Sequence, residues 1–252
     1  MNIRTACTEA LRSYEAQDYA AVIRFCQQGL YQAPAMAELH YLSAYAYWKQ
    51  GKRDEARRIL ETASKYVGGD RFLLLLSAMR EENGDLQGAV ETLRAAKESH
   101  LSVRFNLAAL LTRQGEIPNA IQGYQEILRQ EPDSVPALNN LGALLAALGD
   151  PDGAIVCFER AQKVCPSDPI SALNLAREWA RKGELKHAEG ALRQVLELAE
   201  EMAEVHALAG WIYEHTDRQK EAVRAYERAL RLGLDTPELH EAYLRTASMT
   251  GT

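Results

Sequence analysis

Three asparagines, Asn106, Asn140 and Asn174, recur at intervals of 34 residues and offer the clearest recognition chemistry in this sequence. A carboxamide carries both a hydrogen-bond donor and an acceptor, so it can pair with a peptide backbone whatever the peptide's side chains are. If like positions lie on adjacent packed helices, the asparagines form a row spaced about 10 Å apart. An extended peptide advances ~3.3 Å per residue, so one asparagine would meet about every third residue. Asn139, which precedes Asn140, is predicted to belong to the same peptide-binding surface.

Arginines and aromatic residues accompany this row. Guanidinium groups bind carboxylates through two parallel hydrogen bonds, and large aromatic side chains often anchor a partner at an interface. The candidates are Arg113, Arg177, Arg181, Tyr41, Tyr45 and Trp48. Together these residues predict a surface for an extended, acidic protein segment. Three alternatives stay open: the asparagines bridge neighbouring helices or follow a repeat consensus, the arginines are simply solvated, and the rings pack between repeats.

Motifs for metal binding or catalysis are incomplete in this sequence. His240 and Glu241 begin a His-Glu-x-x-His zinc motif, but residue 244 is leucine. Residues 150–153 resemble a calcium loop yet lack its bidentate glutamate, and no phosphate loop or activated nucleophile is recognisable. We therefore expect no enzyme activity, no metal and no cofactor. Packing between helices is the expected role of three histidines that share one repeat position, His40, His206 and His240.

The elements that must position these residues are repeated helix pairs. In the clearest repeat, a Leu-Gly pair is followed by a Gly-Asp turn and then by a small, a large and a small residue that let two helices approach closely. These residues are Leu141, Gly142, Gly149, Asp150, Ala154, Phe158, Ala161 and Pro166. The preceding repeat has Leu107, Ala108, Gly115, Ala120, Tyr124 and Pro132 at the same positions.

This pattern resembles the tetratricopeptide repeat family. The resemblance implies an all-α fold, a right-handed superhelical solenoid of antiparallel helix pairs whose first helices line a concave groove. The asparagine row is similar to one along the tetratricopeptide superhelix of O-linked N-acetylglucosamine transferases, which implies peptide holding. The chain departs from the carboxylate-clamp members that bind chaperone tails, because the required Lys and Asn four residues apart are missing.

Extending the 34-residue register predicts one solenoid domain over residues 3–248. The predicted repeats are 3–36, 37–69, 70–100, 101–134, 135–168, 169–202 and 203–236, followed by a capping helix over 237–248. The third repeat has only 31 residues, which predicts a shortened helix or loop around Ser99 and His100. Thr236 is the expected cap of the last helix, with Glu238 and Glu241 facing water.

The net charge and the lengths of the apolar runs argue against two further classes of function. The formal net charge of −6 argues against nucleic-acid binding, and no apolar run approaches the ~20 residues that span a bilayer. The sequence shows no secretory signal, so a cytoplasmic location is expected. We expect a non-catalytic scaffold that binds a partner segment in its concave groove. The alternatives are a substrate-presenting adaptor subunit of a larger enzyme or secretion complex, and a scaffold that self-associates into homo-oligomers.

Overall fold

A computed structural model describes residues 2–66, 69–96 and 100–250, and these residues form fifteen α-helices and no strand. The helices, in chain order, are α1 (Ile3–Glu15), α2 (Tyr19–Gln32), α3 (Ala37–Lys49), α4 (Arg53–Tyr66), α5 (Asp70–Glu82), α6 (Leu86–Arg94), α7 (Leu101–Gln114), α8 (Ile117–Gln130), α9 (Val135–Ala147), α10 (Pro151–Val164), α11 (Pro169–Arg181), α12 (Leu185–Leu198), α13 (Ala203–Glu214), α14 (Gln219–Arg231) and α15 (Pro237–Thr250).

The helices belong to two compact units, Met1–Gly123 and Tyr124–Thr252, called unit 1 and unit 2 below. In unit 1, α3 contacts α1 and α5, and α5 contacts α7. In unit 2, α9 contacts α11, α11 contacts α13, and α13 contacts α15. The first helices of successive pairs therefore form a row within each unit, with the second helices α10, α12 and α14 packed against the row in unit 2. The single domain and the repeat bounds stay predictions.

The core is built from the small and large residues that the repeat pattern singles out. Ala154 and Ala161 are fully buried, and Phe158 between them is 1% exposed. A Cβ atom added to Gly142 on α9 would lie 2.6 Å from Cε1 of Phe158, so glycine is needed for the helices to approach this closely. The predicted role of these residues in the α9–α10 seam is confirmed.

Sharp turns join the two helices of each pair. At the end of α9, Gly149 has φ 81°, and the N–H of Asp150 donates to the carbonyl of Leu145 at 2.9 Å. The Asp150 side chain then accepts a hydrogen bond from the N–H of Gly153 and caps α10. At the corresponding turns of the first and seventh repeats, Gln17 and Asp217 adopt φ 58° without being glycine.

The irregular third repeat and the last helix follow the sequence closely. Helix α6 has nine residues, fewer than any other helix described, so the predicted shortening is confirmed; Ser99 lies outside the described residues. The N–H of Leu239 donates to Oγ1 of Thr236, which confirms the predicted cap of α15. Glu238 and Glu241 are exposed as expected, but Leu244 and Met249 are also 64% exposed, so the surface of α15 is only partly polar.

Candidate peptide-binding surface

The exposed side of the first helices in unit 2 repeats residue by residue. On α9, α11 and α13, one set of exposed or half-buried side chains is spaced four, three and four residues apart, as expected for one face of a helix; the last member on α13, His215, is the residue that caps the end of the helix. We call these twelve residues the row face: Pro136, Asn140, Ala143, Ala147, Ile170, Asn174, Arg177, Arg181, Glu204, Leu208, Trp211 and His215. Four predicted site residues, two asparagines and two arginines, therefore share one surface.

The two asparagines of the row face differ in how their amides are used. Asn140 is half-buried, and its Nδ2 donates to the hydroxyl of Tyr124 at 3.1 Å. Asn174 only accepts, from Nη1 of Arg177 at 3.3 Å, and its Nδ2 has no acceptor within the described residues. The Nδ2 of Asn140 thus bridges to α8, as the alternative expected, whereas Nδ2 of Asn174, which is also half-buried, binds no acceptor among the described residues.

Asn139 does not belong to this surface, which corrects the sequence prediction. It is 9% exposed, its Nδ2 donates to Oδ2 of Asp168 at 3.0 Å, and its Oδ1 accepts from Oγ of Ser171 at 3.0 Å. Both ends of the amide are therefore occupied between α9 and α11. The sequence carries a signal for this outcome, because the residue one repeat later is Leu173, which is buried.

The network around Asn139 fixes the start of α11. Oδ2 of Asp168 also accepts a hydrogen bond from the backbone N–H of Ser171, and the single hydroxyl proton of Ser171 is shared between this Oδ2 and Oδ1 of Asn139, so Asp168 is both the cap of α11 and its link to α9. Burial alone would raise the pKa of Asp168, but the hydrogen bonds from Ser171 and Asn139 outweigh it and hold the pKa below the ordinary value of 3.8.

Replacing Asp168 should destabilise unit 2. We expect Asp168→Ala to lower the free energy of unfolding by about 2 kcal/mol, since it removes a helix cap and leaves the amide of Asn139 without its acceptor. The folded-state pKa is depressed, so the stabilisation is complete above 3.8 and is lost as the pH falls through the folded value. Urea unfolding at pH 7 and pH 3 measures this. An equal loss at both pH values would contradict the ionised role of Asp168.

The remaining asparagine and arginine of the prediction lie in unit 1. Asn106 is exposed on α7, and its Nδ2 donates to the carbonyl of Ser102 in the same helix at 2.8 Å. Arg113, also exposed on α7, forms an ion pair with Glu81 of α5. The row of three asparagines therefore stays a prediction, while Asn140 and Asn174 lie on one face of unit 2.

The two arginines of α11 are held differently. Arg181 binds the carboxylate of Glu178 through Nη1, at 3.0 Å from Oε1, and Glu178 is 3% exposed. The same Nη1 lies 3.4 Å from the carbonyl of Ala146 on α9. Arg177 is exposed and has no carboxylate partner among the described residues. Glu178 was not foreseen, although the equivalent residue of the preceding repeat, Leu144, is a core residue.

The predicted aromatic anchor is mostly engaged inside unit 1. The ring of Tyr45 lies 5.3 Å from that of Tyr14 and 5.8 Å from that of Trp48, and burial and Tyr14 raise the pKa of its hydroxyl. Trp48 donates its indole N–H to Glu82 at 3.0 Å. The ring of Tyr41 packs edge-on against the ring of Phe72, with the two centroids 6.3 Å apart. These contacts favour the alternative that the rings pack between repeats.

The histidines that share a repeat position fasten the loops between repeats. Nε2 of His40 lies 2.6 Å from the carbonyl of Pro34, and Nε2 of His206 lies 2.6 Å from that of Glu200. Because a carbonyl only accepts, both Nε2 atoms carry the proton. His240 makes the corresponding contact with the Asp235 side chain at 2.8 Å. These histidines contact the chain before their own helix, a role that their shared repeat position did not reveal.

Among residues 2–66, 69–96 and 100–250, no cluster of three or more His, Cys, Asp or Glu side chains could hold a metal ion. Over the same ranges, no helix combines the length and the apolar character that crossing a membrane requires.

Two family models match the sequence. Residues 74–246 match the model described as the C-terminal domain of cilia and flagella-associated protein 70, and residues 13–78 match a tetratricopeptide repeat model. The chain is 28% identical to the protein CTR9 homolog of Arabidopsis thaliana over 193 residues, which are 66% of this chain and 17% of that protein. It is 28% identical to cellulose synthase 2 operon protein C of Komagataeibacter xylinus over 164 residues, 61% of this chain and 12% of that protein. The chain thus spans less than a fifth of these relatives.

Solved structures share the fold. A chain of the APC/C hetero-tetramer Cut9–Hcn1 superposes with a TM-score of 0.70 at 18% identity, covering 94% of this chain and 48% of that one. The C-terminal part of a tetratricopeptide repeat protein from Cytophaga hutchinsonii gives a TM-score of 0.69 at 17% identity, covering 94% and 98%. These similarities confirm the predicted all-α repeat fold, a fold that generally binds protein partners and is generally non-catalytic. The chain therefore belongs to the tetratricopeptide repeat proteins, in the family whose model describes the C-terminal domain of cilia and flagella-associated protein 70.

Proposed function

We propose that this protein is a non-catalytic scaffold whose row face binds an extended segment of a partner protein. The observation that carries the proposal is the set of unused donors on α11. Nδ2 of the half-buried Asn174 has no acceptor within the described residues, and Arg177 is exposed without a carboxylate partner there. Side-chain amides can pair with a peptide backbone, and a guanidinium adds a preference for acidic segments.

The chemistry of the row face also fits a bound strand sterically. Ala143 and Ala147 are exposed on α9 at the positions that Arg177 and Arg181 occupy on α11. Such small side chains leave room for a backbone to approach the adjacent Asn140. Ile170 is 45% exposed on α11 and offers an apolar contact one turn before Asn174. The surface thus combines backbone-pairing groups with apolar and basic contacts.

Replacing the two asparagines of the row face tests this proposal. Affinity purification with the wild-type chain, followed by mass spectrometry, identifies a partner, and calorimetry then measures its affinity for variants. We expect the double variant Asn140→Ala/Asn174→Ala to bind about thirtyfold more weakly, since each of the two lost hydrogen bonds is worth ~1 kcal/mol and each 1.4 kcal/mol is tenfold in affinity.

Asn119→Ala provides the matched control. Asn119 is an exposed asparagine on α8 that contacts Glu116 and lies outside the row face. The affinity of the separate variant Asn106→Ala shows whether the asparagine of unit 1 contributes to binding the same partner. If the double variant binds the partner as tightly as the wild-type chain does, the row face is not the binding surface.

A second candidate function is an adaptor subunit within a larger assembly. It is favoured by the similarity to cellulose synthase 2 operon protein C and to a chain of the APC/C hetero-tetramer. The same purification distinguishes the candidates. A catalytic subunit recovered in fixed stoichiometry supports the adaptor, whereas a second copy of this chain supports self-association.

A further inference from the structure

Helix α11 differs from its neighbours in presenting two arginines one turn apart on the row face. Arg177 and Arg181 are four residues apart, which places their Cβ atoms about 6 Å from each other along the helix. The equivalent residues of α9 are Ala143 and Ala147, and those of α13 are Trp211 and His215. The two arginines of α11 are therefore flanked by two small alanine side chains on α9 and by two aromatic side chains at the equivalent positions of α13.

The aromatic pair of α13 is itself ordered. The rings of Trp211 and His215 are stacked with their centroids 3.8 Å apart and an interplanar angle of 23°. Nδ1 of His215 lies 2.8 Å from the carbonyl of Trp211, which fixes the imidazole on its own helix. Helix α13 contacts α11, and the stacked rings hold the repeat positions that the arginine pair holds on α11.

The two guanidinium groups leave several N–H groups available to a ligand. Arg181 is anchored through Nη1 to the buried carboxylate of Glu178, while its side chain remains 54% exposed. Its Nε and Nη2 have no acceptor among the described residues, and the same holds for Nε and Nη2 of Arg177. Since the charge of Arg181 is balanced by Glu178, Arg177 supplies the net positive charge of this site.

This arrangement presents donors without acceptors, so it is complementary to carboxylates. In an extended chain, residues i and i+2 point to the same side and lie about 6.6 Å apart, at ~3.3 Å per residue. That spacing matches the ~6 Å between side chains one helical turn apart. The part of a segment that lies along α11 can therefore offer one carboxylate to each arginine, and the part that crosses to α9 can reach Asn140.

We infer that α11 recognises an extended partner segment that carries two acidic residues two positions apart, with the arginine pair as its specificity determinant. The inference rests on the proposed function, because it names the chemistry of the segment that the row face binds. Arg177 contributes charge and Arg181 contributes a guanidinium that Glu178 holds in place. The chain as a whole has a net charge of −6, so this basic site is a local exception.

The probe is a library of synthetic 12-residue peptides, screened against the full chain and then measured individually by fluorescence anisotropy. We expect enrichment of acidic pairs separated by one residue over pairs separated by three and over the Asn-x-Asn analogues. Arg177→Gln should weaken the enriched peptides about fivefold to tenfold, and Arg177→Lys should weaken them less because it retains the charge. Raising the salt concentration should weaken binding to the wild-type chain.

Arg193→Gln is the matched control, since Arg193 is an exposed arginine of unit 2 on α12, outside the row face. The inference is overturned if the enriched peptides share no acidic spacing, or if Arg177→Gln and Arg193→Gln behave alike. In that case peptides that lose affinity for Asn140→Ala/Asn174→Ala still uphold the proposed function. If neither the asparagine nor the arginine variants change peptide binding, or if no peptide is enriched, both proposals fail together.

Discussion

Gly142→Leu is expected to destabilise the protein by about 3 kcal/mol. The seam between α9 and α10 has no space for a side chain, because an added Cβ atom would lie 2.6 Å from the ring of Phe158 and Phe158 is itself buried. Overpacking a rigid core forces the ring or the helix to move, which outweighs the gain in helix propensity when glycine is replaced. Urea denaturation followed by circular dichroism measures the change in the free energy of unfolding.

Gly190→Leu is the control for this experiment. Gly190 also lies within a helix, α12, but an added Cβ atom there meets no heavy atom of the described structure within 4 Å. We expect this variant to be unchanged or more stable by about 0.5 kcal/mol, since only the propensity term acts. If the two variants lose the same stability, the close approach of α9 and α10 is not what requires glycine at position 142.

Arg181→Ala is expected to lower the free energy of unfolding by about 3 kcal/mol, because it leaves the carboxylate of Glu178 buried without its partner. Glu178 occupies a position that holds Leu144 in the preceding repeat and Ile212 in the following one, both buried. Glu178→Leu should therefore be neutral or stabilising, since it replaces a buried charge by an apolar side chain. The two single variants should thus change stability in opposite directions or by very different amounts.

The double variant Glu178→Leu/Arg181→Ala isolates the pair. In the Glu178→Leu background, we expect Arg181→Ala to cost less than about 1 kcal/mol, which gives a coupling of about 2 kcal/mol in the cycle. Arg231→Ala is the control, because Arg231 and Glu227 form an exposed pair on α14 with N and O 3.4 Å apart and should contribute at most ~0.5 kcal/mol. If the changes in the free energy of unfolding of the two single variants add up to that of the double variant, Arg181 does not stabilise the buried carboxylate of Glu178.

The sequence by itself determined the features that depend on residues close together in the chain. The 34-residue register, the turn at Gly149, the cap at Asp150 and the small-large-small seam around Phe158 are set by local conformation and by offsets within one repeat. The short α6 likewise follows from the three residues missing in its repeat. Repetition strengthens each of these signals because the same local solution recurs along the chain.

Only the tertiary structure decided which polar residues reach solvent. Asn139 and Asn140 are neighbours on α9, yet the first is occupied by Asp168 and Ser171 of the next repeat, and the second lies on the row face. Glu178 occupies a position that holds Leu144 in the preceding repeat, but only the tertiary structure shows that this charged side chain is buried there beside Arg181. A helix that packs against several neighbours exposes only a narrow strip of residues to solvent. Which residues form that strip depends on how the neighbouring helices orient this helix about its own axis. Contacts between helices, which no local pattern specifies, therefore decided the composition of the candidate site.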